Sequence, residues 1–231
     1  MSEFADISLH RVSTAEAVAD ALVGLIVSGA LRSGEPLRES SLSTKLGVSR
    51  NSLREAIRLL EQSRLVKYEI HRGAIVVTPT LEDLKDLYRT RRQLELAGIL
   101  EEPTEAQLAV ITEAYNTLVS TSLLRTAEPI VAADIALHQA IVDLLGSERL
   151  SGFYRQICKE LVFYFTVLSY TDEEYIDPEV SIISRHQGLY EAIVAGDRKL
   201  AHDLLAAHID ENYDRLKEIL TARQAAAAAA E

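Results

Sequence analysis

The sequence predicts a mainly α-helical protein built from an N-terminal winged helix-turn-helix followed by an all-α antiparallel helical bundle. Apolar residues recur at helical spacing along most of the chain, two short β-branched runs stand alone near residues 66–77, and the charge balance changes at about Thr80. We expect a head over residues 1–79, a bundle over 80–222 and a low-complexity tail over 223–231.

The head begins with an amphipathic helix over residues 14–29, which Gly29 is expected to end. The segment ESSLSTKLGVSRNSLREAIRLLEQSRL then predicts two helices with a tight turn at Gly47. The second of them begins at about Ser49 and has apolar residues every three or four positions. This pattern is typical of a helix-turn-helix.

Two β-branched runs, LVKY and GAIVVT, follow the second helix and are joined by EIHRG. They predict a two-stranded hairpin with His71, Arg72 and Gly73 at its tip. A hairpin in this place makes the head a winged helix-turn-helix.

The start of the second helix is rich in hydrogen-bond donors, which are Ser49, Arg50, Asn51 and Ser52, with Arg54 one turn on. Such a helix end can reach base edges and phosphates in a major groove. The formal net charge of -11 argues against a nucleic-acid partner, but residues 38–72 hold 8 basic residues against 4 acidic ones. Exposed arginines are more often a solvated helix face, yet the wing and the local basic excess favour double-stranded DNA.

The remaining chain has long apolar periodicities broken by short turns and no convincing strand pattern. Pro and Gly residues mark most of the breaks. We therefore predict six helices, at roughly 81–100, 104–122, 127–145, 148–171, 178–195 and 197–222.

Polar side chains interrupt three apolar stripes of this bundle. In ADIALHQAIVDLLGS, Asp134 and His138 lie one turn apart on the apolar face. Two later helices each carry a histidine in the stripe, as follows: His186 with Ile182, Leu189 and Ile193, and His208 with Leu204, Leu205, Leu216 and Ile219. Burying such groups without partners would be costly.

A carboxylate and three imidazoles that converge in a bundle core are typical of a site for Zn²⁺ or Ni²⁺. The alternative is that each histidine is a core residue hydrogen-bonded to a backbone carbonyl. For one histidine that alternative is favoured, but for His138, His186, His208 and Asp134 together coincidence is the weaker account.

Other features of the sequence limit the classes of protein to which the chain can belong. Cys158 is the single cysteine, so an internal disulfide and a cysteine-cluster metal site are excluded, and its apolar surroundings indicate a structural thiol. The chain has no apolar run of membrane-spanning length, and its first residues do not look like a signal peptide. We expect a cytoplasmic protein that does not enter a membrane.

From about Val12 to Val77, the chain resembles the DNA-binding domain of the GntR family of bacterial transcription regulators, on the motifs IVSGALRSGEPLRE, LGVSRNSLREAIRLLE and RGAIV. The resemblance implies DNA contacts from Arg38, Arg50 and Arg54, and a wing tip at 71–73 that enters the minor groove. Two departures are Asn51-Ser52-Leu53, where the family commonly has Thr-Pro-Val, and Ser63-Arg64, where it has Glu-Gly. The first departure bears on which bases are read.

The motifs DIALH, SRHQGL and AAHIDENY resemble the FCD-type effector domain of the FadR branch of that family. A bundle of six predicted helices is similar to the shorter, VanR-like variant of this domain. This resemblance implies a metal at Asp134, His138, His186 and His208 together with a small carboxylate effector. Arg91 matches the family arginine that helps to hold the acid, although an ion pair with Glu95 is an equal alternative. Asn212 and, more weakly, Tyr164 and Tyr190 are further candidates for the pocket.

These patterns together predict a ligand-responsive repressor that binds a near-palindromic operator as a homodimer. A hydrolase is the rival from another class, since a metal with one carboxylate and three imidazoles can activate water. No general base stands beside the four ligands, and a hydrolase would not explain the head. A third alternative is a sensor of the metal itself, without an organic effector.

Overall fold

The computed structural model describes residues 13–27 and 30–228. The chain divides into two compact units between Thr78 and Pro79. The predicted fold class is confirmed, since a helical head with two short strands precedes an all-helical second unit. Gly29, which we expected to end the first helix, and residues 229–231 of the predicted tail lie outside the described residues.

Within residues 13–27 and 30–78, the head has three helices and a hairpin: α1 Thr14–Val27, α2 Glu39–Leu46, α3 Arg50–Gln62, β1 Val66–Glu69 and β2 Gly73–Val76. Helix α2 ends at Gly47, whose φ of 66° places it in the left-handed region and lets its backbone N–H bond the last turn. The Ser49 hydroxyl accepts a hydrogen bond from the Ser52 backbone N–H and so begins α3. The tight turn between these two caps orients α3 relative to α2.

The wing is an antiparallel pair in which Val66 is opposite Val76 and Glu69 is opposite Gly73. Gly73 has a φ of 74° and His71 a φ of 66°, as a tight hairpin tip requires. Pro36 forms an isolated bridge with Ile75, so the segment before α2 adds a short third edge. The predicted hairpin and its tip are therefore present.

The second unit contains α4 Leu81–Ile99, α5 Glu105–Ser122, α6 Ala127–Asp143, α7 Glu148–Thr171, a π-helical segment Glu179–Ile183, α8 Ser184–Val194 and α9 Arg198–Ala228. Thr80 and Thr104 each form a capping box, with Asp83 and Gln107 respectively, which explains why α4 and α5 begin close to the predicted positions. No helix of the described part has the length and apolar character needed to cross a bilayer.

Two helices differ from their predicted form. The fifth begins as the π-helical segment, and only Ser184–Val194 is α-helical. Helix α9 runs to Ala228, beyond the predicted end at 222, because alanine favours the helix even where no apolar face is buried. Leu204, which we placed in the inward stripe of this helix, is 36% exposed.

Helix α6 is the central helix of the unit. It contacts α4, α5 and α7, and most of its side chains are buried, including the fully buried Ile130 and Ile141. Since almost every face of α6 meets another helix, its polar residues also enter the interior.

Gly98 lets α4 approach α6 closely. A Cβ added at this position would overlap the carbonyl oxygen of Ile141 and lie 3.2 Å from the Cα of Val142. These are backbone atoms, which cannot swing aside as a flexible side chain can.

We expect Gly98→Ala to destabilise the protein by about 1–3 kcal/mol, because it overpacks this contact. Gly152→Ala in α7 is a matched control, since its added Cβ would meet only an arginine tip at 3.7 Å. The control should be about 0.5–1 kcal/mol more stable, through helix propensity alone. Thermal unfolding of both variants measures the difference, and equal stabilities would contradict the close contact.

Candidate functional site

Four buried side chains meet in the interior of the second unit, and we call them the histidine cluster: Asp134 and His138 from α6, His186 from α8 and His208 from α9. One ligand atom from each lies within 4.8 Å of every other. The periodicity of α6 explains the first two, since residues four apart share a face. The structure thus brings together the four residues that the sequence singled out.

Two of the imidazoles have one ring nitrogen occupied on the side away from the cluster. His186 Nδ1 donates to the backbone carbonyl of Ile182 at 2.9 Å, and His138 Nδ1 donates to Glu95 Oε2 at 2.7 Å. We assign the proton to Nδ1 in both because each oxygen partner is an acceptor. The Nε2 lone pairs are then left for the cluster, as in known carboxylate–histidine–metal arrangements.

The alternative of ordinary core histidines accounts for only part of this geometry. His186 has the backbone carbonyl partner that the alternative requires, but its Nε2 also lies 2.7 Å from Asp134 Oδ1. A lone pair and an ionised carboxylate at that distance repel each other unless a proton or another cation lies beside them. The pair therefore requires a positive charge.

His208 carries the clearest sign of a missing partner. Its Nδ1 is buried and has no hydrogen-bond partner among the described residues, while Nε2 lies 3.3 Å from Asn212 Nδ2. Burial, reinforced by His186 and His138, lowers the pKa of His208 well below its usual value. The ring is therefore neutral near pH 7 and offers a lone pair.

Asp134 is ionised in the same environment. Burial opposes its charge, but the positive charge that the pair with His186 requires outweighs burial and holds the pKa of Asp134 well below its usual range, and His138 adds to the effect. The ligand atoms of a single divalent transition ion lie at most roughly 4 Å from one another. The four side chains of the cluster would therefore need only a small movement towards a common centre to bind one ion. The cluster, with three nitrogens and one oxygen, fits such an ion.

Arg91 does not line the space beside the cluster. It is fully buried, with Nε 2.6 Å from Glu95 Oε1, and Tyr154 donates to the same oxygen at 2.5 Å. Its Nη2 is 3.2 and 3.1 Å from the two ring nitrogens of His138, and such nearly equal distances do not align an N–H with the Nε2 lone pair. The ion pair with Glu95, one of the two alternatives predicted from the sequence, is therefore formed, and Arg91 lies beside the His138 ring.

The Arg91–Glu95 pair is strongly coupled. Burial opposes ionisation of Glu95, yet the charge of Arg91 and the hydrogen bond from His138 lower its pKa to about 2. Arg91 Nη1 keeps no partner within the described structure. Glu95 was considered in the sequence only as a partner of Arg91, and its contacts with His138 and Tyr154 cross between helices, so no periodicity indicated them.

A cavity of about 30 Å³ adjoins the histidine cluster, enough for one or two water-sized groups. Its apolar wall includes Phe165 and Leu168, and its polar lining consists of Asp134, Ser169, Glu174, Arg185, His186, His208 and Asn212. Asn212, expected from the sequence to bind an effector, is one of these lining residues.

Arg185 was missed by the sequence reasoning. It adjoins His186 in the chain, and α-helical spacing gives neighbouring residues different directions. Its Nη2 donates to Glu174 Oε1 at 2.5 Å, and both side chains line the cavity. Tyr190, a weaker candidate, instead stacks on Tyr115 with ring centroids 4.2 Å apart, and Tyr164 is buried but does not line the cavity.

In the head, the predicted DNA contacts are exposed at two places. Arg38 precedes α2, and Ser49, Arg50 and Asn51 lie at the start of α3. Arg54 is also exposed, and its Nε pairs with Glu39 at 2.7 Å, which leaves the outer guanidinium nitrogens for other partners.

At the wing, His71, Arg72 and Gly73 form the exposed hairpin tip. Arg72 pairs with Glu69 at 2.6 Å and donates to the carbonyl of Gly34 at 3.1 Å. Its guanidinium therefore links the wing to the segment that precedes α2, and its other N–H groups are left for further partners.

Comparison with known proteins gives matches in both units. Residues 14–76 match the family model "Bacterial regulatory proteins, gntR family", and residues 86–211 match the model "FCD domain". Together the two matches extend over most of the chain.

Similar proteins match along nearly the full length. The gluconate operon transcriptional repressor of Bacillus subtilis is 27% identical over 96% of this chain and 93% of its own. The probable D-xylose utilization operon transcriptional repressor of Paenarthrobacter nicotinovorans is 26% identical over 87% and 88%. The crystal structure of a putative transcriptional regulator GntR from Rhodococcus sp. RHA1 is 30% identical over 87% and 96%, with a TM-score of 0.72.

Proposed function

The chain belongs to the GntR family of bacterial transcription regulators and combines that family's DNA-binding domain with an FCD domain, and from this premise we propose a ligand-responsive repressor. A homodimer binds a near-palindromic operator, and a small carboxylate effector bound at a divalent metal in the second unit modulates that binding. Three relatives bear the name of operon repressors, which supports repression as the mode of action. We further propose that the protein acts in the cytoplasm.

One observation carries the effector site. The histidine cluster adjoins a cavity, and its His208 Nδ1 is a buried nitrogen without a partner among the described residues. Since buried polar atoms are almost always paired, such an atom points to a bound group. Zn²⁺ or Ni²⁺ suits the donor set, and either ion, held by Asp134 and the three histidines, would supply positive charge that attracts an anionic ligand.

We propose that the coupling to DNA begins where helix α4 contacts the histidine cluster. Glu95 contacts His138 and Arg91, and both Arg91 and Glu95 lie on α4. Helix α4 follows the hairpin through only a few residues of chain. An effector that changes the position of His138 therefore biases α4, and through α4 the head that precedes it.

Operator binding measured under four conditions tests this function: no addition, Zn²⁺ or Ni²⁺ alone, organic acid alone, and metal with acid. The acids are acetate, citrate and gluconate, the last because a relative is named for the gluconate operon. We expect release only with metal and acid together. Release by metal alone would instead favour a metal sensor, and binding that no condition changes would contradict the coupling.

The DNA-binding face has its own test. Arg50→Ala is expected to weaken operator binding by about 1–3 kcal/mol while binding to random DNA changes less, because the exposed start of α3 is suited to base contacts. Arg89→Ala on α4 removes the same charge from an exposed helix position outside the head and should leave the operator affinity unchanged. Fluorescence anisotropy with both DNAs measures the contrast. Equal losses on the two DNAs would mean that Arg50 contacts only phosphate.

A further inference from the structure

Two unpartnered polar atoms in the cavity do not belong to the histidine cluster. Arg185 Nε and Ser169 Oγ are both buried and have no hydrogen-bond partner in the described structure. Both residues line the cavity that also reaches His186 and His208. A metal at the cluster would satisfy the imidazoles and leave these two atoms unsatisfied, and the adjoining cavity has room for a second bound group that would pair with them.

The guanidinium of Arg185 has only one close hydrogen-bond partner. Nη2 donates to Glu174 Oε1, whereas Nη1 lies 3.5 Å from Asn212 Oδ1, at the limit of a hydrogen bond. A carboxylate bound in the usual two-pronged manner would also take a second nitrogen of the fork. Glu174 thus makes a one-pronged contact, which a better-placed carboxylate can replace.

Glu174 is held in the wall by its backbone. Its backbone N–H donates to the carbonyl of Ser169 at 3.1 Å, and its own carbonyl accepts from the Ser181 hydroxyl at 2.8 Å. The side chain can therefore rotate away while the backbone stays in place. Burial raises the pKa of Glu174 despite the pairing with Arg185, so the carboxylate occupies this position at a cost.

We propose that Arg185 holds the carboxylate of the effector, and that Glu174 occupies the same arginine until the effector displaces it. This assignment rests on the proposed function and deepens it, because it names the cation of the effector site. The Ser169 hydroxyl donates to the second oxygen of the incoming carboxylate. Arg91 keeps a structural role beside His138, where Glu95 already neutralises it.

The proposal also explains the size of the cavity. Its volume of about 30 Å³ accepts a single carboxylate head group but not the rest of an organic acid. The Arg185 and Glu174 side chains are 30% and 13% exposed, so they stand between the cavity and solvent. Rotation of Glu174 would open the space into which the remainder of the acid extends.

Ligand-observed NMR titration of the full chain with sodium acetate tests the proposal, at constant ionic strength and both with and without added Zn²⁺. We expect Arg185→Gln to bind acetate about tenfold more weakly or worse, because a charged two-pronged contact is lost. Glu174→Gln should bind it several-fold more tightly, because the internal competitor is lost. Arg215→Gln is the matched control, since that arginine also pairs with a carboxylate, Asp172 at 2.5 Å, but lies outside the cavity lining.

Equal acetate affinity in Arg185→Gln and the wild type would overturn the proposal, as would weaker binding in Glu174→Gln or no binding to the wild type in either metal condition. Zinc content measured on the same samples distinguishes a failure of the Arg185 assignment from a failure of the proposed metal site. Zinc uptake with acetate binding that is independent of Arg185 refutes this assignment alone. Absence of zinc uptake refutes the proposed metal site, while the dependence on Arg185 is still read from the titration without metal. Circular dichroism checks that each variant is folded.

Discussion

Glu95→Ala is expected to destabilise the protein by about 3–5 kcal/mol, because it leaves the guanidinium of Arg91 buried without its counter-charge. Both side chains are fully inaccessible to solvent and lie 2.6 Å apart. The variant also removes the acceptor of the Tyr154 hydroxyl and of His138 Nδ1. For a unit of this size the loss corresponds to roughly 10 °C in the thermal midpoint.

Glu113→Ala is the control for this variant, because Glu113 is exposed in the middle of α5 and its loss should change the midpoint little. A second comparison separates charge from packing. Arg91→Met combined with Glu95→Leu removes both charges together and should recover much of the stability. A midpoint for Glu95→Ala equal to that of the control would contradict a coupled buried pair.

The pH dependence of stability gives an independent reading of the same pair. Because the folded pKa of Glu95 is about 2, below the value of about 4.3 for an unfolded glutamate, its contribution is complete above that unfolded value. It is lost as the pH falls towards the folded pKa. Between pH 4.5 and 2 the wild type should therefore lose more stability than Glu95→Ala does.

Helix positions were predictable because their signals are local. Thr80 and Thr104 cap α4 and α5, and the predicted helix over 148–171 has the observed limits of α7. The fifth helix was less predictable, since the π-helical segment Glu179–Ile183 changes the spacing on which the periodicity depends. The extension of α9 comes from alanine propensity, which produces no apolar periodicity in the sequence.

The part of the candidate site that was predictable from the sequence is the part in which each residue's position follows from the apolar face of its own helix. The convergence of Asp134, His138, His186 and His208 follows from three apolar stripes meeting in one core. The residues that surround the cluster are brought there by contacts between helices and by the directions of their side chains. The apolar pattern of a single helix does not predict either. The Glu174–Arg185 pair is of this kind, and so is the contact of Tyr154 with Glu95.

Metal dependence separates a functional cluster from a set of buried core histidines. In the double variant His186→Ala/His208→Ala, half of the four ligands are gone, so we expect about one metal ion per chain in the wild type and none in the variant. A metal that binds only the folded state stabilises it by about 4 kcal/mol when present at a thousand times its dissociation constant. Chelation should therefore lower the thermal midpoint of the wild type and leave that of the double variant unchanged.

His202→Ala is the matched control for the metal measurement. His202 lies on the same helix as His208 but points to Asp203 at the surface, away from the histidine cluster. Its metal content and its response to chelation should equal those of the wild type. A wild type without metal, whose midpoint is unaffected by Zn²⁺ or Ni²⁺, would mean that a proton rather than a metal ion supplies the positive charge between Asp134 and His186. In that case the cluster would be a buried ion pair, and the carboxylate effector would depend on Arg185 alone.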